Sequence, residues 1–343
     1  MRQEEVQSKY EPLVVSIVLA FGAKDQLMDC IKSLEYQVGI RQQIVVVQNG
    51  AESEMLDDLE HRFQNLATIR NGVNVGSAAG RNLGIRWAVK HHAEYLFFAD
   101  NDATFAPDAL SNLLAVTFKH PEIGFLSCVV WRKSDPRKIF TAGALIEPPL
   151  STRHLYEEPV DSQMRNVDFA PSCALLVPVN TVKSIGLMDE SLFVYDEDID
   201  WCLNGKAQGF NTVVVSASAA YHDIHAGKMI SPLRVYYGIR NRLVVFQRHN
   251  IIPESRKGVM KVMRILLHNW WYHQLLGKGE LSVTCSYAYL LGILHSQFGR
   301  LGAAPLYLQK PNANFFEGRL RRWVMQSLIW RGYRMIKQVV FTR

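Results

Sequence analysis

Several sequence signatures that define common protein classes are missing from this chain. Its five cysteines include no CxxC pair, are widely spaced and lie mostly in apolar runs. This disfavours a zinc site or a disulfide framework and favours a reducing compartment. The first apolar run is followed by Phe21-Gly22-Ala23-Lys24 instead of GxGxxG, and no GxxxxGK followed by Ser or Thr occurs. A nicotinamide-dependent dehydrogenase and a P-loop NTPase are therefore both disfavoured.

Segments that direct a chain to a membrane are scarce as well. Residues 1–12 are polar and contain no apolar core, so we expect no secretory signal. Residues 281–299 carry no formal charge, but serines, a threonine, a histidine and a glutamine interrupt them. Because a spanning helix needs ~20 predominantly apolar residues, this stretch predicts a buried or interfacial helix. We expect a cytoplasmic protein, with peripheral attachment to the membrane surface left open.

The chain does have a basic balance and enough apolar residues for a large core. Of its 343 residues, 48% are hydrophobic and 20% are charged, and the net charge is +6. This balance indicates an anionic partner such as a nucleotide or an acidic lipid headgroup. No DNA- or RNA-binding motif is evident, so we expect no nucleic-acid partner. The length fits one large α/β domain with an appendage, or two small domains.

Strand and helix patterns alternate through the first hundred residues. Apolar runs at Leu13–Leu19, Ile44–Val47 and Tyr95–Ala99 predict strands that are buried on both faces. Helical patterns lie between them. This order predicts an open, mostly parallel α/β sheet with helices on both sides. Ligands of such sheets bind beyond the carboxyl ends of the strands, where we expect Gln48 and Asp100 to meet.

The triplet Asp100-Asn101-Asp102 directly follows the third of these strands. Two carboxylates one residue apart can share a divalent cation and a ribose hydroxyl, and Mg²⁺ and Mn²⁺ prefer oxygen ligands. The alternative is a turn, since Asp and Asn favour turns. His222 and His225 lie near the end of a later strand pattern, where a metal ligand and a structural histidine are about equally expected.

Four acidic residues fall within Asp196–Asp200, at the start of a predicted helix. Attraction to the helix dipole is worth ~0.3–1 kcal/mol per acid and explains only one or two of them. At about 100° per residue, Asp198 and Asp200 point to nearly opposite sides. One can therefore enter a cleft as a general base while the other pairs elsewhere. The glycine-rich segment Asn74–Asn82 also enters a helix, where it either approaches a phosphate or packs tightly.

The order of these motifs resembles that of family 2 glycosyltransferases with the GT-A fold. The similarity covers about residues 14–249 and includes Val15–Val18, Val46–Gly50, Asn74–Gly84, Gly186–Asp200, Tyr236-Tyr237 and Arg240-Asn241-Arg242. The last two resemble the rhamnosyltransferase- and galactofuranosyltransferase-like branch. The resemblance implies the GT-A nucleotide-diphospho-sugar transferase fold. It also implies an inverting hexosyl or deoxyhexosyl transfer from a UDP- or dTDP-sugar to a glycan or lipid-linked acceptor, as in cell envelope polysaccharide biosynthesis.

The same resemblance implies a role for each candidate residue. Asp198 is the expected general base, and Asp102 and His222 are the expected ligands of Mn²⁺ or Mg²⁺. The expected donor-binding residues are Phe21, Gln48, Asn49, Gly80, Arg81, Asp100 and Asn101. The expected acceptor-side residues are Glu197, Asp200 and Trp201.

Two positions depart from the family pattern. Ala20-Phe21-Gly22 replaces the usual turn after the first strand, and Gln48 stands where the family usually has Asp. The Gln amide oxygen can accept a hydrogen bond from a pyrimidine N3–H, and its NH₂ can donate to a ring carbonyl. Nucleotide recognition can thus be retained with an altered preference. The alternative is a non-catalytic nucleotide-sugar-binding protein on the same fold.

The predicted organisation has three parts. A polar tail (1–11) precedes a catalytic domain (12–250), which divides into a nucleotide-binding half (12–102) and an acceptor-side half (103–250). A helical extension (251–343) follows, and its residues 319–343 contain seven basic and no acidic side chains with an apolar stripe. Such a helix either lies in the interface of an anionic membrane or packs on the catalytic domain.

Overall fold

The computed structural model describes residues 11–21, 24–50, 53–63, 65–159, 163–223, 231–276, 280–305 and 308. Nearly all of the predicted polar tail, as well as His225 and the whole basic segment 319–343, therefore lie outside the described residues.

The described residues form strands, α-helices and one short 3-10 helix. The strands are β1 (Leu13–Ala20), β2 (Arg41–Gln48), β3 (Leu66–Ile69), β4 (Tyr95–Asp100), β5 (Thr104–Phe105), β6 (Ile123–Trp131), β7 (Ile139–Thr141), β8 (Ala144–Glu147), β9 (Ser151–His154), β10 (Met164–Val167), β11 (Ala174–Pro178) and β12 (Asn211–Tyr221). The helices are α1 (Lys24–Glu35), α2 (Ser53–Arg62), α3 (Ser77–Lys90), α4 (Ala109–Thr117), α5 (Val179–Ile185), α6 (Glu197–Ala207), α7 (Pro232–Arg248), α8 (Arg256–Leu276) and α9 (Glu280–Gln297), with the 3-10 helix at Glu190–Leu192.

One mixed sheet organises the chain, in the order β10-β12-β6-β11-β4-β1-β2-β3, with β5 beside β12 and β7 beside β6. The half β4-β1-β2-β3 is parallel, as predicted, and contains a short strand, β3, that the sequence pattern did not reveal. β11 runs antiparallel to both β4 and β6, and β6 is parallel to β12. The carboxyl ends of β6 and β12 therefore lie at the same edge of the sheet as those of β1, β2 and β4.

The sheet is buried on both faces because its strands are apolar at successive positions. Along β1, Val15 and Ile17 enter one core cluster while Val14 and Val18 enter the cluster on the other face. This separation follows from the two-residue period of side chains in a strand. Because both faces of the sheet are covered, a ligand can bind at the edge that the strand ends form.

The helices after residue 231 pack into the core cluster that contains Val15 and Ile17 of β1. A Cβ atom built on Gly292 of α9 would lie 2.6 Å from the Ile239 side chain and 2.7 Å from the Tyr236 carbonyl oxygen of α7, so the two helices pack closely. Tyr289 of α9 belongs to the same buried cluster as Tyr236. The proposed boundary at residue 250 stays a prediction. Among the described residues, no helix combines the length and the apolar character needed to cross a membrane.

Candidate active site

The carboxyl ends of β1, β2 and β4 bring the predicted donor residues together. In the sheet register, Asp100 lies beside Leu19, and Gln48 lies beside Ala20. The Asn101 side-chain amide donates to the Phe21 carbonyl oxygen at 2.6 Å, which ties the ends of β1 and β4 to each other. Phe21 itself is 57% exposed. These three strand ends thus lie side by side, as the strand order predicted.

Three potential metal ligands meet at this edge. One ligand atom each of Asp100, Asp102 and His222 lies within 4.8 Å of the others. Asp102 follows β4 and His222 follows β12, and His222 Nε2 lies 2.9 Å from Asp102 Oδ1. Burial acts to lower the pKa of His222, but the hydrogen bond to Asp102 and the charge of Asp100 outweigh it, so the pKa is raised. The cluster therefore has the charge of a cation site.

The donor atoms of this cluster fit a divalent cation. Two carboxylates provide the oxygen ligands that Mg²⁺ and Mn²⁺ prefer, and an imidazole nitrogen is a common further ligand for a transition metal. His222 Nδ1 is buried without a hydrogen-bond partner among the described residues, while the Phe140 ring packs edge-on against the imidazole at 5.5 Å between centroids. The packing fixes the ring so that Nε2 is directed toward the two carboxylates.

Arg81 connects the metal cluster to the acidic helix α6. Its guanidinium donates to Asp100 Oδ1 at 2.8 Å and to Glu197 Oε1 at 2.9 Å. Arg81 and Glu197 are both buried. The Ser77 hydroxyl also donates to Glu197. Glu197 therefore lies against helix α3 and holds Arg81, and its acceptor-side role stays a prediction.

Asp198 occupies the first turn of α6 and is only partly exposed. Burial, followed by the neighbouring charges of Glu197 and Asp196, raises its pKa to about 7. A carboxylate with this pKa is a stronger base than an ordinary aspartate, and it can still ionise near neutral pH. Arg81, which also binds Asp100, feels the charge of Asp198, so the base candidate lies near the donor-side carboxylate.

The backbone that leads to Asp198 is unusual. Phe193, Tyr195 and Asp196 have φ values of 69°, 67° and 64°, a region that non-glycine residues rarely adopt. Such conformations cost roughly 1–3 kcal/mol each and persist only where the surroundings impose them. This conformation could not be predicted from the sequence, because none of the residues 193–196 is a glycine.

Helix α7 imposes this conformation through three consecutive side chains. Arg240 donates to the Leu192 carbonyl oxygen at 2.8 Å. The Asn241 amide donates to the carbonyl oxygens of Leu192, Val194 and Tyr195 at 2.7–2.9 Å. Arg242 forms a bidentate pair with Asp196 at 2.7 and 2.9 Å. Residues 240–242 form what we call the α7 clamp, whose motif was recognised in the sequence without its role.

The N-terminus of α3 does not present its amides to the crevice. The backbone amides of Ser77 and Ala78 donate to the Phe193 carbonyl oxygen at 2.7 and 3.4 Å. Gly76 has φ 89°, and a Cβ atom there would collide with the same carbonyl group. The glycine-rich segment therefore docks the base-bearing loop, and the alternative of tight packing prevails over a phosphate cradle.

Several other predicted site residues have structural partners. Gly80 packs against β1, where a Cβ atom would lie 2.5 Å from Leu19 Cδ1. Asn49 is buried, accepts from the Val75 amide at 2.9 Å and donates to the Gly76 carbonyl oxygen at 3.2 Å. Gln48 is buried at the end of β2. Gly80 and Asn49 thus hold α3 and its preceding loop against the ends of β1 and β2, and their donor-binding role stays a prediction.

Asp200 and Trp201 point away from the crevice. Asp200 is 2% exposed and is paired with Arg248 at 2.9 Å and with His249 at 2.9 Å. Trp201 is buried against Phe98 and donates to the Gly186 carbonyl oxygen at 3.0 Å. Asp198 and Asp200 therefore face different sides of α6, as the helical spacing predicted. The acceptor-side role of Asp200 and Trp201 stays a prediction.

Comparisons with known proteins show that the sequence is similar to those of glycosyltransferases. A model of glycosyl transferase family 2 matches residues 16–179. The low-salt glycan biosynthesis hexosyltransferase Agl10 of Haloferax volcanii is 22% identical over 285 residues, which cover 79% of this chain and 88% of that protein. The dTDP-rhamnosyl transferase RfbF of Shigella flexneri is 23% identical over 218 residues, 61% of this chain and 72% of that protein.

Solved structures show the same fold. A crystal structure of GalNAc-T7 with UDP, GalNAc and Mn²⁺ superposes with a TM-score of 0.58 at 12% identity, covering 84% of this chain and 57% of that chain. A crystal structure of residues 1–349 of S. aureus TarS in complex with UDP-GlcNAc superposes with a TM-score of 0.53 at 17% identity, covering 82% and 81%. Residues 16–179 therefore match a glycosyl transferase family 2 domain, and the chain has the GT-A fold of these solved glycosyltransferases.

Proposed function

We propose that this enzyme is an inverting glycosyltransferase that moves a hexose or deoxyhexose from a UDP- or dTDP-sugar to a hydroxyl group of a glycan or lipid-linked acceptor. The observation that carries the proposal is the junction at Arg81. This residue joins Asp100, a member of the metal cluster, to helix α6, which begins with Asp198. This contact supports a common site for the potential metal ligands and for Asp198, whose pKa is raised to about 7.

Each residue has a defined task in this proposal. Asp198 removes the proton from the acceptor hydroxyl as its oxygen attacks the anomeric carbon, and the nucleoside diphosphate leaves from the opposite face. Asp100 is held by Arg81 where it can bind the ribose or the cation. Asp102 and His222 would hold Mn²⁺ or Mg²⁺, which would neutralise negative charge on the leaving diphosphate. Arg81 places both carboxylate-bearing elements at a fixed separation.

Recognition of the nucleotide base is assigned to the ends of β1 and β2. Gln48 lies at the carboxyl end of β2, and the exposed Phe21 ring follows β1. A pyrimidine ring has one N–H donor and two carbonyl acceptors, which the amide of Gln48 can match. The similarity to a dTDP-rhamnosyl transferase and to a UDP-GlcNAc-binding protein supports the choice of donor class.

A donor screen tests the proposal. Purified full-length protein is incubated with UDP- and dTDP-sugars and Mn²⁺ or Mg²⁺, and release of nucleoside diphosphate is measured with and without EDTA. We expect release from at least one donor that EDTA abolishes. Asp102→Asn should reduce it at least about tenfold, because even residues that merely support a metal ligand are worth 10–100-fold.

Asp57→Asn is the matched control for this experiment. Asp57 is an exposed carboxylate of α2 that pairs with Arg70 at 2.7 Å, so its loss should leave the release rate unchanged. Metal-dependent release that survives Asp102→Asn would contradict the metal assignment. Binding of a nucleotide-sugar without release, across all donors and many glycan acceptors, would contradict the catalytic proposal itself.

A further inference from the structure

A pocket of about 630 Å³ opens at the end of β6, in a part of the chain that none of the roles above explains. It is lined by the end of β6, the turn to β7 and the segment after β9, including Trp131, Arg132, Ile139, Tyr156 and Glu157. Its volume falls in the range of ~300–1,000 Å³ that is typical of small-molecule sites.

The pocket is built onto the segment that contains His222. The His222 amide donates to the Trp131 carbonyl oxygen at 2.8 Å, and the Lys133 amide donates back to the His222 carbonyl oxygen at 3.4 Å. Along β7, Ile139 lines the pocket and the next residue, Phe140, packs on the His222 imidazole. Successive side chains of a strand point to opposite sides, so one strand separates the pocket from the cation site.

The order of the strands shows where the pocket lies relative to the predicted donor residues. Gln48 ends β2, Asp100 ends β4, and the pocket follows the end of β6, farther along the same edge. β11 lies between β4 and β6, and Cys173, directly before β11, lies close enough to Asp100 and Asp198 for both carboxylates to raise its pKa. The pocket therefore lies along the same edge of the sheet as Gln48 and Asp100, on the far side of β7 from the cation site, where a sugar unit of a longer acceptor would bind.

The lining has the chemistry of a carbohydrate site. Trp131 and Tyr156, the latter 61% exposed, offer ring surfaces, and amphipathic rings bind ligands that have an apolar face and polar edges. Glu157 and Glu158 add carboxylates, while their backbone carbonyl oxygens are fixed by Arg165 at 2.9 and 2.7 Å. A pyranose has apolar C–H faces and a rim of hydroxyl groups, which this combination matches.

The charges of the lining argue against a simple anion site. Arg137 and Lys138 both pair with Asp135, at 2.9 and 3.1 Å. With Glu157 and Glu158 also present, positive and negative groups are interspersed around the opening. Such a rim can donate to and accept from hydroxyl groups, whereas a phosphate would meet Glu157 and Glu158 as well as the cationic side chains of Arg132, Arg137 and Lys138.

We propose that this pocket is a sugar-binding acceptor subsite, in which a pyranose unit of the acceptor glycan stacks on Trp131 and Tyr156. The assignment to the acceptor rests on the proposed function, whereas the binding of a sugar does not depend on catalysis.

Saturation-transfer NMR on the full-length protein tests this proposal without nucleotide and in EDTA. The probes are the methyl glycosides of glucose, galactose, mannose, rhamnose and N-acetylglucosamine. We expect at least one to bind. Tyr156→Ala should weaken its Kd about five- to tenfold, the effect of losing one ring contact, and Tyr156→Phe should retain binding. Tyr36→Ala, which removes a tyrosine that is 72% exposed at the end of α1, should change nothing.

Three results would overturn the proposal: no glycoside binds, Tyr156→Ala and a folded Trp131→Ala both bind as tightly as the wild type, or inorganic diphosphate displaces the glycoside. Donor-only release of nucleoside diphosphate is measured in parallel and should be unaffected by Tyr156→Ala. If no donor is turned over but a glycoside still binds in a Tyr156-dependent manner, the proposed function fails while the sugar site stands.

Discussion

The two sides of the crevice are held in place by different means. On the donor side, Gln48 and Asp100 sit at the ends of parallel strands, and hydrogen bonds between β1, β2 and β4 set their separation. On the acceptor side, Asp198 follows an irregular segment with three positive φ angles, which side chains of α7 hold. Regular backbone positions the first group, and three side chains 46–49 residues farther along the chain position the second. The acceptor side should therefore be the more sensitive to single substitutions.

The largest effect is expected from a substitution of the base candidate, Asp198. Asp198→Asn should reduce transfer by about 10²–10⁴-fold, the usual contribution of a general base, while nucleotide binding by calorimetry stays the same. Since its folded pKa of about 7 exceeds the ordinary value of 3.8, ionisation of Asp198 destabilises the fold as pH rises through that interval. The variant should hence melt at a higher temperature than the wild type at pH 8, and at nearly the same temperature at pH 4.

Asp200→Asn is the matched control, because Asp200 lies on the same helix but pairs with Arg248 and His249 in the interior. It should lower the melting temperature at pH 8 rather than raise it. Transfer by Asp198→Asn at the wild-type rate would remove Asp198 from the mechanism.

The α7 clamp provides the next test. Arg242→Lys keeps the positive charge but loses the bidentate pairing with Asp196, for which lysine has no equivalent geometry. We expect kcat to fall about tenfold, which corresponds to roughly 1.4 kcal/mol, with the KM for the donor unchanged. Steady-state kinetics at saturating acceptor measures both. Arg70→Lys, in an exposed ion pair, should alter neither; an equal loss in both variants would show that the clamp does not position the base.

The pH profile of wild-type turnover tests the ionisation of Asp198. Asp198 must be ionised to accept a proton, and burial with the charges of Glu197 and Asp196 raises its pKa to about 7. Turnover should accordingly rise through pH 7 and fall about tenfold per unit well below it. An acid limb near pH 4 would mean that the base has the pKa of an ordinary, solvated aspartate.

The smallest effect is expected on the donor side. Gly80→Ala forces a methyl group to within 2.5 Å of Leu19, and overpacking of this kind costs about 1–3 kcal/mol of unfolding free energy. Denaturant titration should detect that loss, while donor affinity stays close to wild type. Gly72→Ala, which meets no atom within 4 Å, should be neutral. A large loss of nucleotide affinity without loss of stability would instead support Gly80 as a nucleotide-binding residue.

The same contrast explains what could be predicted from the sequence. β1, β2 and β4 were evident because their β-branched and aromatic runs are buried on both faces, and the Asp100–Asp102 triplet was evident because it ends such a run. β3 escaped because its four residues are only partly buried. The grouping of His222 with Asp102 was expected from the family resemblance, whereas its position after a strand left a structural histidine equally expected.

Long-range partners were not predictable. Nothing in the composition of Asn74–Gly84 shows that Phe193, more than a hundred residues later, fills the N-terminus of α3. The spacing of Asp198 and Asp200 correctly separated their directions but could not say which one faced the interior, because that depends on Arg248 and His249. The positive φ angles are likewise imposed by α7 rather than by local sequence.

The docking of Phe193 on α3 has a consequence for engineering. The first amides of α3 find their acceptor only when residues from the second half of the catalytic domain are present. The two predicted halves, 12–102 and 103–250, are therefore not structurally independent of each other. A chimera that joins residues 12–102 to the acceptor half of another enzyme would need to recreate, at one crossing point, the glycine at position 76, the carbonyl it accommodates and the acidic partner of Arg81.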